Sequence, residues 1–248
     1  MSVTTAIPLR PAVVPSAVRW LSVGLLAIPL LGGASLVALV HRRTGWRLLT
    51  AWTRWSAAIF GIETDFRDEN AGGLGPPPLV FVQLNQASLS ESFALPAWLP
   101  VPFHVLMNVE YALIPLLGWA HFLLGGVVVV RQWKWQTRKA LRRCLRHLRN
   151  GRSVVLSIEG RRSENGALGP YKKGPAVLAI AAQARIVPIL VEGAGPCLPY
   201  GEWRVRPGRI TITLLQAVET SGLAPGDRGS LVERLRTLAE SRLNGGGR

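Results

Sequence analysis

The stretch Ser153–Gly174, SVVLSIEGRRSENGALGPYKKG, contains a short apolar run that ends abruptly in charged residues. The β-branched residues between Val154 and Ile158 predict a buried strand. Glu159, Gly160 and two arginines follow directly. Ligands of open α/β sheets bind at the carboxyl ends of strands, and an arginine fork matches phosphate oxygens in a bidentate way. The pattern therefore favours either an anion site or a plain strand-ending turn with a solvated Glu–Arg pair.

Strands and helices alternate along the chain on either side of this stretch. Apolar runs with β-branched enrichment predict strands, and apolar residues at helical spacing predict helices. The predicted strands are 62–66, 79–84, 185–191 and 210–215, and the predicted helices are 136–150, 175–184 and 231–243. Strands that alternate with helices build a mostly parallel sheet that is covered on both faces. The predicted fold class is therefore α/β.

The N-terminal region contains a long apolar segment. Trp20–Val40 carries no charged residue and is long enough to cross a bilayer. Basic residues flank it on both sides, at Arg10, Arg19, Arg42, Arg43 and Arg47. The positive-inside tendency then places the following domain in the cytoplasm, and the length of the segment disfavours a signal peptide. Pro29, Gly32 and Gly33 leave a bent helical pair that dips into one leaflet as an alternative to spanning.

Tryptophans recur at helical spacing directly after this segment. Trp46, Leu49, Trp52, Trp55 and Ile59 share one helix face. Such a helix lies well in a membrane interface with its indole rings at headgroup depth. The alternative is an ordinary helix that packs these rings into the core. We predict four segments: a loose N-terminus at 1–16, an anchor with this interfacial helix at 17–60, an α/β domain at 61–243 and a frayed tail at 244–248.

The overall composition combines positive charge with apolar character. The net charge is +15, yet 48% of the residues are hydrophobic and nine are tryptophan. Basic nucleic-acid binders are normally hydrophilic, so this combination favours a membrane surface with anionic lipid over nucleic acid. The basic face of the helix at 136–150 is typical of either a solvated surface or contact with such lipid. The two cysteines provide no disulfide framework and no metal-ligand spacing, which predicts a reducing compartment and no metal.

Several short motifs resemble the glycerophospholipid acyltransferase family, whose best-known members acylate 1-acylglycerol-3-phosphate. They are Glu159-Gly160-Arg161-Arg162-Ser163, then Tyr171-Lys172-Lys173-Gly174 and Val187-Pro188-Ile189. They follow the family's order, between about residues 60 and 220. The family has Phe-Pro where this chain has Ser157-Ile158, and Thr where it has Arg161. The resemblance also assigns the uncharged stretch 111–130 to the catalytic domain, with a strand at Val127–Val130 that ends at Arg131, rather than to a second membrane span.

The resemblance also locates the expected catalytic residues. The family carries Asn-His-x-Ser-x-x-Asp, whose histidine is the general base and whose aspartate orients it. This chain has Asn85-Gln86-Ala87-Ser88-Leu89-Ser90-Glu91 at that place. Gln86 cannot accept a proton near neutral pH, and losing a general base typically costs a rate factor of about 10² to 10⁴. The remaining hypotheses are that Glu91 acts as the base, that the acceptor's phosphate takes the proton, or that catalysis is lost and binding is kept.

The anion-binding part of the family pattern is more complete. The resemblance implies that the lipid headgroup is held by Arg131, Glu159, Gly160, Arg162 and Ser163, with charge from Lys172 and Lys173 and further contacts from Asn85 and Ser88. A solvated helix start is the alternative for the two lysines. Asn108 stands where the family often has lysine.

The expected function is transfer of an acyl chain from acyl-CoA or acyl-carrier protein to a lysophospholipid hydroxyl, in which Gln86 and Glu91 set up the acceptor. No other cofactor is expected. A catalytically impaired relative that binds phospholipid or a partner enzyme is the alternative. The expected location is the cytoplasmic face of a membrane, as in a bacterial inner membrane.

Overall fold

The computed structural model describes residues 15–245, and it contains one seven-stranded sheet with the order β1-β7-β6-β2-β5-β3-β4. The strands are β1 (Ile62–Asp68), β2 (Val80–Gln83), β3 (Phe103–Asn108), β4 (Val127–Val129), β5 (Ser153–Ser157), β6 (Ile186–Glu192) and β7 (Gly208–Leu214). Neighbouring strands are parallel except for the antiparallel pair β6 and β7. The predicted mostly parallel α/β fold is confirmed.

Helices cover both faces of this sheet. They are α1 (Ser16–Ala38), α2 (Arg42–Phe60), α3 (Glu91–Ala94), α4 (Val109–Ala112), α5 (Leu117–Leu123), α6 (Lys134–Arg149), α7 (Gly174–Ala182), α8 (Ala194–Cys197) and α9 (Arg228–Gly245). One core lies under α1, α2 and α3, and a second core lies under α6, α7 and α9. Phe81 faces the first core and Val82 the second, because successive strand residues point to opposite faces. The all-apolar character of β2 follows from burial on both sides.

Helix α1 is long and apolar enough to cross a membrane, but one of its faces packs against the protein. Val23, Ala27 and Leu31 are buried at a spacing of four residues and belong to the first core. Buried Arg19 donates from Nη1 to the carbonyl oxygen of Phe60 at 2.9 Å. The opposite face exposes Leu21, Leu25, Ile28, Leu36 and Leu39. The predicted boundary between anchor and domain is untested, and the two parts share one core.

Some tryptophans of α2 pack into the core, and one is exposed as a membrane interface would require. Trp52 is buried and donates from Nε1 to the carbonyl oxygen of Val23 at 3.2 Å. The Trp46 ring meets the Phe103 ring edge-on, with centroids 4.4 Å apart. Only Trp55 among these three is strongly exposed, at 60%. Core packing therefore explains two of these rings, and Trp55 alone is available to a membrane interface.

The structure adds one strand and shifts several boundaries. No strand was predicted at β3, because this half-exposed strand mixes His104, Met107 and Asn108 with its apolar residues. Helix α1 begins at Ser16, inside the segment predicted to be loose, and residues 1–14 lie outside the described part. Helix α9 continues to Gly245, beyond the start of the predicted frayed tail, of which residues 246–248 are not described.

Candidate active site

The carboxyl ends of the central parallel strands bring the predicted site residues together. The backbone N–H of Gln86, after β2, donates to Glu159 Oε2 at 2.8 Å, after β5. The N–H of Ser163 donates to the carbonyl oxygen of Gln86 at 2.6 Å. Arg131, after β4, donates from Nη1 to the carbonyl oxygen of Gly160. Three loops that are distant in sequence thus form one cluster at this edge of the sheet.

The Glu159 carboxylate joins two of these loops. Its side chain is only 4% exposed, and Oε1 accepts a second backbone hydrogen bond from Gly169 at 2.5 Å. Burial raises the pKa of Glu159, whereas these backbone N–H groups and the guanidinium groups of Arg236 and Arg161 oppose that rise. Because both oxygens hold protein backbone, Glu159 positions the loops around it. Its direct contact with a substrate stays a prediction.

Gly160 makes the sharp turn that follows. Its φ of +70° lies in the left-handed region, which costs glycine little because it has no Cβ. The turn directs its carbonyl oxygen to Arg131, and its N–H donates to Ser157 Oγ at 3.3 Å. A side chain at position 160 would strain this turn and displace the anchor of Arg131.

Glu91 is the second buried carboxylate of the site, at 2% exposure. Its Oε1 accepts hydrogen bonds from the backbone N–H groups of Ala87 at 2.8 Å and Ser88 at 3.1 Å. Its Oε2 accepts one from Gln83 Nε2 at 2.5 Å. Burial raises the pKa of Glu91 to about 7 despite these bonds. A pKa of about 7 suits a general base, but the carboxylate is engaged in holding its own loop.

Two other predicted residues also direct their polar atoms into the protein. Asn85 donates to the carbonyl oxygen of Val191 at 2.6 Å and accepts from its N–H at 2.9 Å. Ser88 is fully buried, donates to the carbonyl oxygen of Leu198 at 2.7 Å and lies 2.8 Å from the hydroxyl oxygen of Ser90. Both side chains fix the shape of the loop after β2. Their predicted contacts with the substrate stay predictions.

The cationic side chains are more accessible. Arg131 Nη2 lies 3.6 Å from Glu110 Oε2 on α4, and its side chain is 37% exposed. The Arg162 guanidinium lies over the Tyr200 ring, with Cζ 5.1 Å from the ring centroid. An arginine guanidinium carries five N–H donors that suit an anion. Lys172 and Lys173 are exposed just before α7.

Comparison with known proteins finds relatives of this chain among acyltransferases. A family model described as "Acyltransferase" matches residues 89–192. A 1-acyl-sn-glycerol-3-phosphate acyltransferase of Chlamydomonas reinhardtii is 34% identical over 170 residues, which is 67% of this chain and 50% of that protein. One of Pseudomonas aeruginosa is 26% identical over 189 residues, which is 74% of this chain and 71% of that protein. The chain belongs to the glycerophospholipid acyltransferase family.

A solved structure of a family member has the same fold. The crystal structure of the 1-acyl-sn-glycerophosphate acyltransferase from Thermotoga maritima superposes with a TM-score of 0.71 at 18% identity, covering 92% of this chain and 96% of that one. The chain spans half of the first curated relative, and 36% and 34% of the plant chloroplast relatives from Brassica napus and Arabidopsis thaliana.

Three residues around this acyltransferase-family site were missed by sequence analysis. Gln83 holds Glu91, Tyr200 carries Arg162, and Arg236 on α9 donates from Nη1 to the carbonyl oxygen of Gly169 at 3.1 Å. A polar residue at the end of the buried run VFVQ was a usable signal for Gln83. Tyr200 and Arg236 come close only through the tertiary fold, so no local pattern predicts them.

Proposed function

We propose that this chain is a membrane-attached O-acyltransferase that moves an acyl chain from acyl-CoA or acyl-carrier protein to the hydroxyl of a lysophosphatidate-type lipid. The observation that carries this proposal is the hydrogen-bonded cluster at the carboxyl edge of the sheet. It combines Gln86, Arg131 and the Glu159–Ser163 turn within a family whose relatives are named for this reaction.

Charge at this edge supports a phosphate-bearing acceptor. Arg131 donates to the carbonyl oxygen of Gly160, and Arg162 follows in the same turn. Exposed Lys172 and Lys173 lie just before α7, and the backbone N–H of Lys172 bonds to the carbonyl oxygen of Ile158 at the start of this turn. Glu159 is occupied by backbone N–H groups. Arginine forks match phosphate oxygens bidentately, which favours a terminal phosphate monoester over a choline-type headgroup. We assign the two arginines to the phosphate and the lysines to its outer rim.

The acyl transfer itself needs a proton acceptor. The acceptor hydroxyl oxygen attacks the thioester carbonyl carbon, the C–S bond breaks, and the thiolate leaves. We infer that the hydroxyl proton passes to an oxygen of the acceptor's own phosphate, whose second pKa is about 6, and then to the leaving thiolate. Gln86 can orient the hydroxyl or donate to the oxyanion, and Glu91 keeps its loop in place. No cofactor beyond the acyl donor is required.

Attachment to the membrane would come from α1. Its inner face is buried along its length, so we favour insertion into one leaflet beside the domain over a free-standing span. Basic residues that follow at Arg42, Arg43 and Arg47 suit anionic headgroups. We propose the cytoplasmic face, as in a bacterial inner membrane, because the positive-inside tendency puts the basic side of this helix there.

The test is an acyl-transfer assay with purified protein in micelles and radiolabelled acyl donor. Acyl-CoA and acyl-carrier protein are supplied separately, and the acceptors are lysophosphatidate, lysophosphatidylcholine and monoacylglycerol. We expect transfer to lysophosphatidate only. Arg162→Leu should raise the KM for lysophosphatidate about 10-fold, because a charge-assisted hydrogen bond contributes roughly 1.5–3 kcal/mol. Exposed Arg138→Leu on α6 is the control and should leave the KM unchanged.

The result that would contradict the proposal is equally specific. If neither donor supports transfer to any acceptor while the protein still binds lysophosphatidate, the chain is the non-catalytic lipid-binding relative. Gln86 in place of a proton acceptor is the observation that favours this alternative.

A further inference from the structure

The connection between α4 and α5, together with α5 itself, exposes four large apolar side chains. Leu113 is 75% exposed, Ile114 46%, Trp119 62% and Phe122 71%. We call these four residues the α4–α5 patch. Large apolar patches are rare on proteins that contact only water, and they mark interaction surfaces. The patch lies in the uncharged stretch 111–130, which by its sequence alone resembles a second membrane span.

The backbone accepts an unfavourable conformation to build this patch. Leu116, between Ile114 and α5, has a φ of +64°, which L-residues with a side chain rarely adopt. A Cβ at Gly118 would overlap the backbone of Ala112, so the turn is also tight. Strain of this kind persists where surrounding structure enforces it and is concentrated at functional sites.

The position of the patch links the proposed anchor to the proposed site. Helix α5 packs against α1, and Leu116 lies beside Gly32. On the other side, Glu110 of α4 pairs with Arg131, which holds the Gly160 turn. The patch therefore lies between the apolar helix and the cationic edge.

The residues around the patch match a lipid surface rather than a protein partner. Trp133 and Trp135 lie two and four residues after Arg131, stack with centroids 6.1 Å apart and are 54% and 58% exposed. Lys134 stands between them. Exposed indoles next to cations are typical of headgroup depth, with apolar residues reaching the acyl chains beyond. Helix α1, which packs against α5, also exposes Leu36, and Leu39 is exposed directly after its end.

We propose that the α4–α5 patch inserts into the same leaflet as α1, with Trp133 and Trp135 at headgroup depth. This second contact turns the cationic edge of the site toward the bilayer. A lysophospholipid can then enter the site laterally from the leaflet. The inference deepens the proposed membrane attachment and does not depend on whether the site is catalytic.

The test places an environment-sensitive fluorophore at single introduced cysteines in the full chain. Phe122→Cys reports the patch, Leu36→Cys reports α1, and Val177→Cys is a matched control, 43% exposed on α7 on the opposite side of the sheet. Native Cys144 and Cys197 are buried, and labelled wild-type protein measures their background. The probe is vesicles of phosphatidylcholine and phosphatidylglycerol that contain lipids with nitroxides on their acyl chains.

We expect at least about a twofold loss of fluorescence for the labels at positions 122 and 36, and none at position 177. Iodide in the water should quench the label at 122 less once vesicles are added. Quenching at 36 without quenching at 122 would overturn the inference and leave the anchor intact. Protection of 122 without lipid, together with a dimer in solution, would also overturn it, because the occupant would then be a second copy. The absence of quenching at both positions would overturn the membrane attachment itself.

Discussion

The loop after β2 and the turn after β5 meet at one edge of the sheet but are built differently. In the loop, Asn85, Ser88 and Glu91 all bond to protein groups around them. In the turn, Glu159 bonds to the protein, whereas Arg161 is exposed and Arg162 lies half-buried over the Tyr200 ring. The loop is thus internally satisfied, and the turn still presents donors outward.

This difference separates two tasks that one site must combine. Anion binding needs donors that remain free in the absence of ligand, and the arginines of the turn provide them. Proton transfer needs an accessible acceptor, and the loop offers Gln86, an amide, next to a buried and fully engaged Glu91. The side chains of the site therefore support headgroup binding more directly than proton transfer. Experiment must identify the group that accepts the proton.

The largest expected effect comes from removing the carboxylate that joins the two regions. Glu159→Ala leaves the N–H groups of Gln86 and Gly169 without their acceptor, which should lower the free energy of unfolding by roughly 1–3 kcal/mol. Displacement of the loop should reduce acyl transfer about 10²-fold. Glu164→Ala, at an exposed position of the same turn region, is the control. Wild-type activity in Glu159→Ala would show that the two loops are held independently.

The pH dependence of stability tests the deep burial of Glu91. Its pKa is raised from 4.5 to about 7, so the folded state prefers the protonated carboxyl. Stability from this group is complete below pH 4.5 and is lost as pH rises toward 7, by at most about 3 kcal/mol. Glu91→Gln removes that loss, since a glutamine can accept from Ala87 and Ser88 and donate to a reoriented Gln83.

The measurement is denaturant unfolding of both proteins in micelles at pH 5 and pH 8. The wild type should lose stability relative to Glu91→Gln between these values. His104 and His121, whose pKa values are lowered to about 4 by burial, act in the opposite direction but are common to both proteins. A constant difference between the two proteins would mean that Glu91 titrates normally.

Introducing a proton acceptor into the loop after β2 tests whether that loop lacks only a base. Gln86→His introduces an imidazole in the loop that the resemblance identifies with the family's base, and it should raise acyl transfer to lysophosphatidate about 10-fold or more. Gln86→Asn, which keeps an amide, should not raise it. The readout is kcat from pH 6 to 8, where the histidine variant should show an additional ionisation that the wild type and Gln86→Asn lack. An unchanged rate in both variants would place the proton acceptor outside this loop.

The sequence predicted the two regions unequally. The apolar run before Glu159 and the motif around it predicted both the strand and the turn, because that turn depends on local residues such as Gly160. The inward bonding of Asn85 and Ser88 depends on Val191 and Leu198, more than 100 positions away. Strand β3 was missed because its partial exposure breaks the apolar pattern on which strand prediction relies.

The smallest expected effect concerns Arg236, which acts on the turn from α9. Its Nη1 bonds to Gly169, whose N–H donates to Glu159, and its guanidinium also helps to keep the pKa of Glu159 from rising further. Arg161 also lowers the pKa of Glu159. The charge of Glu159 in turn raises the pKa values of Tyr171 and Glu91. Arg236→Leu should lower acyl transfer about threefold, as expected for the loss of less than 1 kcal/mol, and should move the acid limb of kcat/KM to higher pH.

The pH profile separates this role from simple support of the fold. Protonated Glu159 accepts its two backbone hydrogen bonds more weakly than the carboxylate does, so a higher pKa of Glu159 weakens the link between the loops at a higher pH. Arg236→Leu also removes the ion pair of Arg236 with Glu240 at 2.8 Å. Arg242→Leu, on the same helix, removes the comparable ion pair of Arg242 with Glu69 at 2.5 Å and should leave the profile unshifted. Arg236→Lys keeps the charge, so the acid limb of its kcat/KM should lie close to the wild-type pH. If both leucine variants shift the profile equally, α9 supports the domain as a whole, and the turn after β5 owes its shape to Glu159 alone.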